Sequence, residues 1–455
     1  MPLHDWPNYL KLIQYDPGVV MSKIKNWTLD KLKQTIVDQQ AGEIFSDLYG
    51  EIGDTGSGLQ RIHELLLGRQ HDVTHLFSAP GRTELGGNHT DHNLGKVLCA
   101  AVQNDTVAAV QPRTDGKIIV RSEGFSETFK LDISDLKPHS TEQGKTTALI
   151  RGVLAGIDAH GGTLGGFEAT MTSNVGVGSG LSSSASFEVL IGTIVNELYN
   201  DGLIATEQIA RVGQFAENIY FGKPCGLMDQ AASAFGGILK IDFANPDELE
   251  IQKVAFDVES TGYILMVIHT GSSHADLTDA YASIPLEMKA VAGEMGVKVL
   301  RDRSYEQFLD QSIDIRKRLG DRAVLRANHF YAENLRVDRM VASLEAGDFE
   351  AYLTNVQYSG NSSQSILQNA IPPRSKGREQ GLGFALGLSR LFFEERGRGV
   401  ARVHGGGFAG AIQAYVHEED FEAYNKLMST QLGDDAIQML HIRTTGASKI
   451  LNLPY

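Results

Sequence analysis

Cysteine is scarce in this sequence, which has only two cysteines, Cys99 and Cys225, in 455 residues. Two distant cysteines do not build a disulfide framework or a cysteine-based zinc site, so we expect a reducing, cytoplasmic location. Long apolar runs are also missing. Runs such as 263–268 have the length of a strand, whereas a membrane helix needs about 20 apolar residues. The first residues lack the charged-then-apolar order of a secretory signal.

An excess of basic residues is absent as well. Lys and Arg number 41 against 56 Asp and Glu, and the formal net charge is −15. Because nucleic acids are bound through basic surfaces, we expect neither nucleic acid nor membrane as a partner. The 42% hydrophobic and 21% charged residues are typical of a folded globular protein. We expect a monomer or a weak homo-oligomer that acts on a small molecule.

The hydrophobic pattern divides the chain into three parts. Leu29, Leu32 and Ile36 recur at helical spacing near the start. Thr28 is a possible N-cap for that helix, and a second amphipathic helix follows a break at 54–58. Strands mixed with helices come next, and a change in composition near residue 260 suggests a second unit. The predicted parts are a helical extension (1–72), a first domain (73–260) and a second domain (261–455).

After the extension, the periodicity of hydrophobic residues and the turn residues predict the principal helices and strands. The predicted helices are 147–160, 185–199, 207–218 and 323–345. The predicted strands are 73–82, 97–113, 116–124, 168–175, 262–271 and 411–416. This mixture predicts an α+β fold with two α/β-type domains.

A glycine-serine loop, GVGSGLSSSA, starts at Gly176 between a predicted strand and a predicted helix. The first backbone N–H groups of a helix are unpaired and can bind an anion. Gly178 and Gly180 would let the backbone approach phosphates, and Ser182 to Ser184 would add hydroxyls for phosphate oxygens or Mg²⁺. The G-K-[ST] ending of a Walker A motif is absent, so a P-loop fold is not expected. A flexible linker is the open alternative.

The segment APGRTELGGNHTDH follows a predicted strand and is dense in polar groups. Arg82 could place a positive charge beside a phosphoryl group, and the two carboxylate oxygens of Asp91 could accept from two sugar hydroxyls. Asn88 and His89 offer neutral donors and acceptors. A metal site at His89, Asp91 and His92, or a polar structural turn, would also fit this composition.

Three further positions carry possible chemistry. Asp229 stands in the otherwise apolar CGLMDQ and is a candidate to orient or deprotonate an acceptor hydroxyl. Glu217, on a predicted helix, is a candidate magnesium ligand or a solvated helix residue. Tyr281 could line a cleft between domains, although core packing is the common role of a lone tyrosine. Glycines 405–407 precede a strand and suit a tight turn near another backbone or a ligand.

Four segments in order then identify a resemblance. They are APGRTELGGNHTDHNLGKVL, GVGSGLSSSASFEVL, AENIYFGKPCGLMDQAASAFGG and VHGGGFAGAIQAYV. From about residue 75 to its end, the chain resembles the galactokinases, in the superfamily of homoserine, mevalonate and phosphomevalonate kinases. The resemblance implies two α/β-type domains with the active site in the cleft between them. It also implies that ATP and Mg²⁺ are used to phosphorylate the anomeric hydroxyl of galactose.

The resemblance also implies roles for individual residues. Asp229 would be the acid-base group beside the sugar C1 hydroxyl, while Arg82 would stabilise the transferring phosphoryl group and keep Asp229 ionised. Mg²⁺ would be held by Ser183 and Glu217. The implied sugar-binding residues are Asn88, His89, Asp91, Gly226 and Tyr281. The implied ATP-binding residues are Gly178, Ser179, Gly180, Leu181, Ser182, Ser183 and Ser184.

Departures from the family pattern bear on the substrate. Galactokinases usually have Arg-Val-Asn-Leu-Ile-Gly-Glu-His, whereas here Glu84 stands in place of the Asn and Asn88 in place of the Glu. Because Asn88 removes a negative charge near the expected sugar C6 hydroxyl, we hypothesise that galacturonate is tolerated. An amino-galactose kinase and a non-catalytic sugar and ATP sensor are further alternatives. The HTD triplet followed by GLMDQ argues against a non-sugar acceptor.

Overall fold

The computed structural model describes residues 27–49, 57–68, 72–176, 180–272, 277–372 and 379–453. Its helices are α1 Leu29–Asp38, α2 Gly42–Tyr49, α3 Ser57–Gly68, α4 Thr146–Ala159, α5 Ser183–Tyr199, α6 Thr206–Phe215, α7 Met228–Phe235, α8 Thr278–Glu294, α9 Tyr305–Leu319, α10 Asp321–Glu345, α11 Phe349–Ser362, α12 Gly381–Arg396 and α13 Phe421–Leu432. Its strands are β1 His75–Gly86, β2 Lys96–Arg113, β3 Lys117–Ser122, β4 Thr128–Asp132, β5 Gly166–Ser173, β6 Ile238–Asp242, β7 Glu250–Val254, β8 Tyr263–His269, β9 Val400–His404, β10 Ala411–His417, β11 Ile437–Leu440 and β12 Ser448–Asn452. The helices and strands predicted from the sequence are confirmed, with ends shifted by a few residues.

Within the described ranges, the strands form two sheets. The first has the order β12-β1-β2-β5-β3-β4, and β6 pairs with the beginning of β2 and carries β7 at its outer edge. All its pairs are antiparallel except β3 with β5. The second sheet is antiparallel, in the order β11-β8-β10-β9. Because β12 pairs with β1, the end of the chain returns to the first sheet, and the domain division near residue 260 stays a prediction.

Helices cover both faces of the first sheet. Apolar side chains of α4, α5 and α6 pack on one face, against β1, β2, β3 and β5. The extension packs on the other face, where Leu32, Phe45 and Ile62 meet Val107 and Ala109 of β2 in a buried cluster. A third cluster joins β1 and β2 to the second sheet through α10 and α11. Because its apolar side chains are buried against the first sheet, helix α5, which follows the glycine-serine loop, is held in place.

The extension has the helix predicted from its apolar spacing. The Thr28 side chain caps α1 by accepting a hydrogen bond from the Lys31 N–H at 3.2 Å, as the sequence predicts. The sequence analysis did not predict α2, whose eight residues are too few for a clear period. The predicted break at 54–58 falls largely outside the described residues. None of the helices built by the described residues could span a lipid bilayer.

Candidate active site

An arginine and a carboxylate from distant parts of the chain form a two-point contact. Arg82 lies on β1, and Asp229 is the second residue of α7, 147 positions later. Arg82 Nε donates to Asp229 Oδ1 at 2.7 Å, and Nη2 donates to Oδ2 at 2.9 Å. A bidentate contact fixes both the position and the plane of the carboxylate. The sequence predicted both residues and their proximity, and the structure brings them together.

The glycine-serine loop closes on this pair. Arg82 Nη1 donates to the Gly180 carbonyl, and the Arg82 backbone N–H donates to the Leu181 carbonyl at 2.9 Å. The Ser182 hydroxyl donates to Asp229 Oδ2 at 2.6 Å. Helix α5 begins at the next residue, Ser183, so its free N–H groups open beside the arginine and the carboxylate. Gly178 and Ser179 lie outside the described residues.

The local charges decide the ionisation of Asp229. Burial raises the pKa of Asp229, but the charge and hydrogen bonds of Arg82, with the hydrogen bond of Ser182, outweigh burial and lower it below its usual value. Asp229 is therefore ionised at neutral pH. An ionised carboxylate that Arg82 and Ser182 hold in place can accept a proton from a hydroxyl group.

Glu217 lies beside the start of α5 in a π-helical turn, Ala216–Phe221, and is almost completely buried. Ser184 donates to Glu217 Oε1 at 3.1 Å, and Lys223 Nζ donates to the same oxygen at 2.9 Å. Gln230 Nε2 donates to Glu217 Oε2 at 3.0 Å. The hydroxyl bonded to Glu217 thus belongs to Ser184 and not to Ser183, the predicted partner. Lys223 and Gln230 were missed because no motif for them was considered.

Asp91 meets Gly226, which lies three residues before Asp229 in the chain. A Cβ built on Gly226 would lie 2.4 Å from Asp91 Oδ2, so the carboxylate occupies the space that a side chain would fill. Asp91 Oδ1 accepts from the His92 N–H at 2.9 Å, which leaves Oδ2 directed at the Gly226 backbone. Among the described residues, no group of three or more metal-ligating side chains forms, so the metal site considered at His89, Asp91 and His92 finds no support.

His89 and Tyr281 lie together at the glycine turn that precedes β10. Their ring centroids are 5.1 Å apart, and a Cβ on Gly406 would lie 2.0 Å from the Tyr281 ring. His89 Nε2 donates to the Gly406 carbonyl at 2.9 Å. Burial, then the neighbouring His92, lower the pKa of His89 to about 3, so the ring is neutral and Nδ1 is a hydrogen-bond acceptor. The predicted close approach is confirmed for Gly406, and for Gly407, where a Cβ would lie 2.4 Å from the Asn369 carbonyl, but not for Gly405, where a Cβ would meet nothing within 4 Å.

The buried amide of Asn88 makes its hydrogen bonds within the protein, and the sugar-binding role of this residue stays a prediction. Its Nδ2 donates to the Gly405 carbonyl at 2.7 Å and to Glu84 Oε1 at 3.1 Å, and its Oδ1 accepts from Asn369 at 2.9 Å. The negative charge expected to be lost at position 88 is present on Glu84, which pairs with the buried Arg402. These contacts give the galacturonate hypothesis no support.

Helix α10 holds the backbone of the segment APGRTELGGNHTDH, a contact that was not predicted from the sequence. His329 Nε2 donates to the Asn88 carbonyl at 2.9 Å, and Glu333 Oε1 accepts from the Gly87 N–H at 3.2 Å. Asn334 Oδ1 accepts from the Lys96 N–H at 2.6 Å. A histidine and a glutamate four residues apart on a predicted buried helix face were the available signal.

Comparisons with known proteins agree with this arrangement. Family models match for the "GHMP kinases N terminal domain" at residues 148–237 and the "Galactokinase galactose-binding signature" at residues 63–112. A galactokinase of Streptomyces coelicolor is 34% identical over 354 residues, or 77% of this chain and 87% of the relative. A galactokinase of Glaesserella parasuis is 32% identical over 352 residues, with the same coverage of both chains.

Solved structures share the fold. The crystal structure of Lactococcus lactis galactokinase complexed with galactose superposes with a TM-score of 0.70 at 23% identity, over 91% of this chain and all of that one. A mevalonate kinase from Methanococcus jannaschii has a TM-score of 0.56 at 16% identity, over 82% of this chain and 99% of that one.

Proposed function

This chain belongs to the galactokinase family, and we propose that it transfers the terminal phosphate of ATP to the anomeric hydroxyl of galactose. The family fold predicted from the sequence is confirmed, and the chain is a kinase. The observation that supports the galactose reaction most directly is the bidentate Arg82–Asp229 pair at the start of the α5 helix. A cytoplasmic location and a monomeric or weakly associated state stay predictions.

Asp229 would act on the sugar hydroxyl. Its ionised carboxylate would orient the anomeric hydroxyl and accept its proton as that oxygen attacks the terminal phosphorus of ATP. Arg82 keeps that carboxylate ionised and would stabilise charge on the phosphoryl oxygens during transfer. Both functions depend on the bidentate geometry, because one guanidinium must face the carboxylate and the phosphate together.

The first turn of α5 would hold the phosphates of ATP. Unpaired helix N–H groups open there, and Ser182, Ser183 and Ser184 carry hydroxyls on the same turn, where Ser182 donates to Asp229 and Ser184 to Glu217. Gly180 has a positive φ of 79°. Oriented N–H dipoles at a helix start favour bound phosphate. Gly178, Ser179 and Leu181 complete the predicted loop.

Ser184 and Glu217 would hold magnesium, and Ser183 stays a candidate from the family resemblance. The ion would neutralise charge on the phosphates of ATP. The residues fit it, because Mg²⁺ prefers oxygen ligands and often takes few from the protein. The 3.1 Å contact between Ser184 Oγ and Glu217 Oε1 puts two such oxygens side by side. Lys223 Nζ lies 2.9 Å from the same Glu217 oxygen, so a bound ion would take the place of this lysine.

Asp91, His89, the Gly226 N–H and Tyr281 would bind the sugar. The carboxylate of Asp91 can accept from two neighbouring hydroxyls, and His89 Nδ1 adds an acceptor. Asn88 would act indirectly, because it holds the Gly405 carbonyl beside the His89–Gly406 contact.

Replacing Gly226 by alanine should raise KM for galactose about 10-fold or more, since displacing one substrate-binding group costs about 1–3 kcal/mol. The new Cβ would displace Asp91, while the glycine-serine loop would be untouched. Steady-state kinetics with each substrate varied in turn would measure this. Gly387→Ala is the matched control, because a Cβ at Gly387 meets nothing within 4 Å. A rise in KM for ATP alone would contradict the assignment of Asp91.

A substrate screen tests the proposed function. The purified chain, with ATP and Mg²⁺, would be given galactose, galacturonate, galactosamine or glucose, and ADP release would be followed. We expect galactose to give the highest kcat/KM and nuclear magnetic resonance to show phosphate on the anomeric oxygen. Absence of galactose-dependent ADP release would overturn the proposal, and galactose binding without turnover would indicate the sensor instead.

A further inference from the structure

The polar side chains of the extension converge on one buried carboxylate of the first sheet. Asp105 lies on β2 and is fully buried. The Tyr49 hydroxyl, at the end of α2, donates to Asp105 Oδ2 at 2.7 Å, and the Arg61 guanidinium, from α3, pairs with Oδ1. Gly58 makes room for this arrangement, because a Cβ there would lie 2.2 Å from the Tyr49 ring.

Asp105 is bonded in turn to the segment that leads into the glycine-serine loop. This loop is called the phosphate loop below, after its role in the proposed function. Its backbone N–H donates to Asn174 Oδ1 at 2.7 Å, and the Asn174 N–H donates to the Asp105 carbonyl at 3.2 Å. Asn104 Nδ2 donates to the Asn174 carbonyl at 3.1 Å. Asn174 precedes Gly176, the first residue of the loop, by two positions. The extension therefore reaches the loop entrance through Asp105, and also through the Thr172 carbonyl, which accepts from Arg61 Nη1 at 3.5 Å.

The same segment borders the strand that carries Arg82. A Cβ on Gly81 would lie 3.0 Å from the Val175 side chain and 2.8 Å from the Leu181 carbonyl. Val175 directly precedes the loop, and Leu181 is one of its residues. A shift of the loop entrance would therefore move groups that are packed against the residue before Arg82, because buried interiors are close-packed.

We propose that Tyr49 and Arg61 are positioning residues for the phosphate loop, which makes the helical extension a functional part of the ATP site. The proposal rests on the proposed function, because that function assigns the loop to the phosphates of ATP. Asp105 bonds β2 to the loop entrance, and the two extension side chains hold Asp105 together with the Ser78 hydroxyl of β1, which donates to Asp105 Oδ2 at 2.5 Å. Arg443 Nη1 also lies 3.4 Å from Asp105 Oδ2, so the carboxylate keeps a cation when Arg61 is removed.

The test uses Tyr49→Phe, which removes one hydroxyl and retains the ring, and Arg61→Met, which retains an unbranched stem. We expect each to raise KM for ATP at least about fivefold, because small displacements of a binding element weaken binding strongly, and to leave KM for galactose within about twofold. Hydrogen exchange should become faster at residues 172–176 and 180–183.

Asp47→Ala is the matched control in the full-length chain. Asp47 is another polar anchor of the extension, and it accepts from the Thr444 and Thr445 N–H groups at 2.9 and 2.8 Å rather than bonding to Asp105. It should leave KM for ATP unchanged. Wild-type KM and exchange in Tyr49→Phe, or an equal rise in Asp47→Ala, would overturn the proposal.

Calorimetric binding of a non-hydrolysable ATP analogue separates this proposal from the proposed function, because it needs no turnover of galactose. Weaker analogue binding in Tyr49→Phe and Arg61→Met supports the positioning role even if galactose is not the substrate. Wild-type protein that binds no analogue overturns it.

Discussion

Replacing Asp229 by asparagine should lower kcat by about 10²–10⁴, the usual contribution of a positioned general base. Asparagine keeps the size of the side chain but cannot accept the proton of the anomeric hydroxyl. Steady-state kinetics with galactose and ATP measures the loss, and binding of the ATP analogue should change far less.

Asp242→Asn is the control for this substitution. Asp242 is a buried carboxylate that pairs with Arg301 at 2.7 Å and makes no contact with the Arg82–Asp229 pair. It should keep near-normal kcat in the folded protein. Near-normal turnover in Asp229→Asn would show that Asp229 is not the base.

Replacing Arg82 by methionine should lower kcat by about 10²–10³, the cost of removing one group that stabilises charge in the transition state. The loss has a second cause, because burial raises the pKa of Asp229 and Arg82 supplies the largest opposing effect. Without Arg82 that pKa should rise, and less of the carboxylate would be ionised at low pH.

The dependence of rate on pH separates these two causes. In the wild type, Asp229 has a lowered pKa, so its ionisation should not limit kcat/KM above about pH 5. In Arg82→Met, the rise of kcat/KM with pH should occur at higher pH than in the wild type, because a base works only when it is deprotonated. Arg82→Lys keeps a charge without the bidentate contact. Its pH profile should lie between those of the wild type and Arg82→Met. An Arg82→Met profile as flat as the wild type would contradict the coupling.

Circular dichroism should accompany these measurements. The Arg82–Asp229 pair is partly buried, and removing one partner of a fully buried ion pair commonly costs about 3–5 kcal/mol of folding free energy. Loss of the fold must therefore be distinguished from loss of chemistry. The Ser182 hydroxyl also donates to Asp229 and should limit the displacement of the Asp229 carboxylate in Arg82→Met.

The exchange of Glu84 and Asn88 relative to the family pattern shows where a motif misleads. Read position by position, the motif predicts a lost charge at residue 88. In the fold, Asn88 Nδ2 lies 3.1 Å from Glu84 Oε1, so the two residues form one hydrogen-bonded pair with the charge on the other member. Arg402, 318 positions further along the chain, balances that charge. Only the tertiary structure could reveal this partner.

The sequence by itself determined the family, many of the helices and strands, and the principal catalytic candidates. A helix start with flanking glycines and serines is a local property, since its unpaired N–H groups arise within a few residues. The order of the four motif segments along the chain was enough to indicate that Arg82, the glycine-serine loop and Asp229 share a site.

The tertiary structure decided which polar groups remain available and which are used within the protein. Asn88 is held by Asn369, Glu217 is bonded to Ser184, and Asp105 receives Tyr49 and Arg61 from the extension. A buried polar group must find hydrogen-bond partners, but those partners are chosen by chain packing and not by sequence proximity. Short-range patterns therefore predicted the chemistry, whereas the contacts that position it depend on residues far apart in the chain.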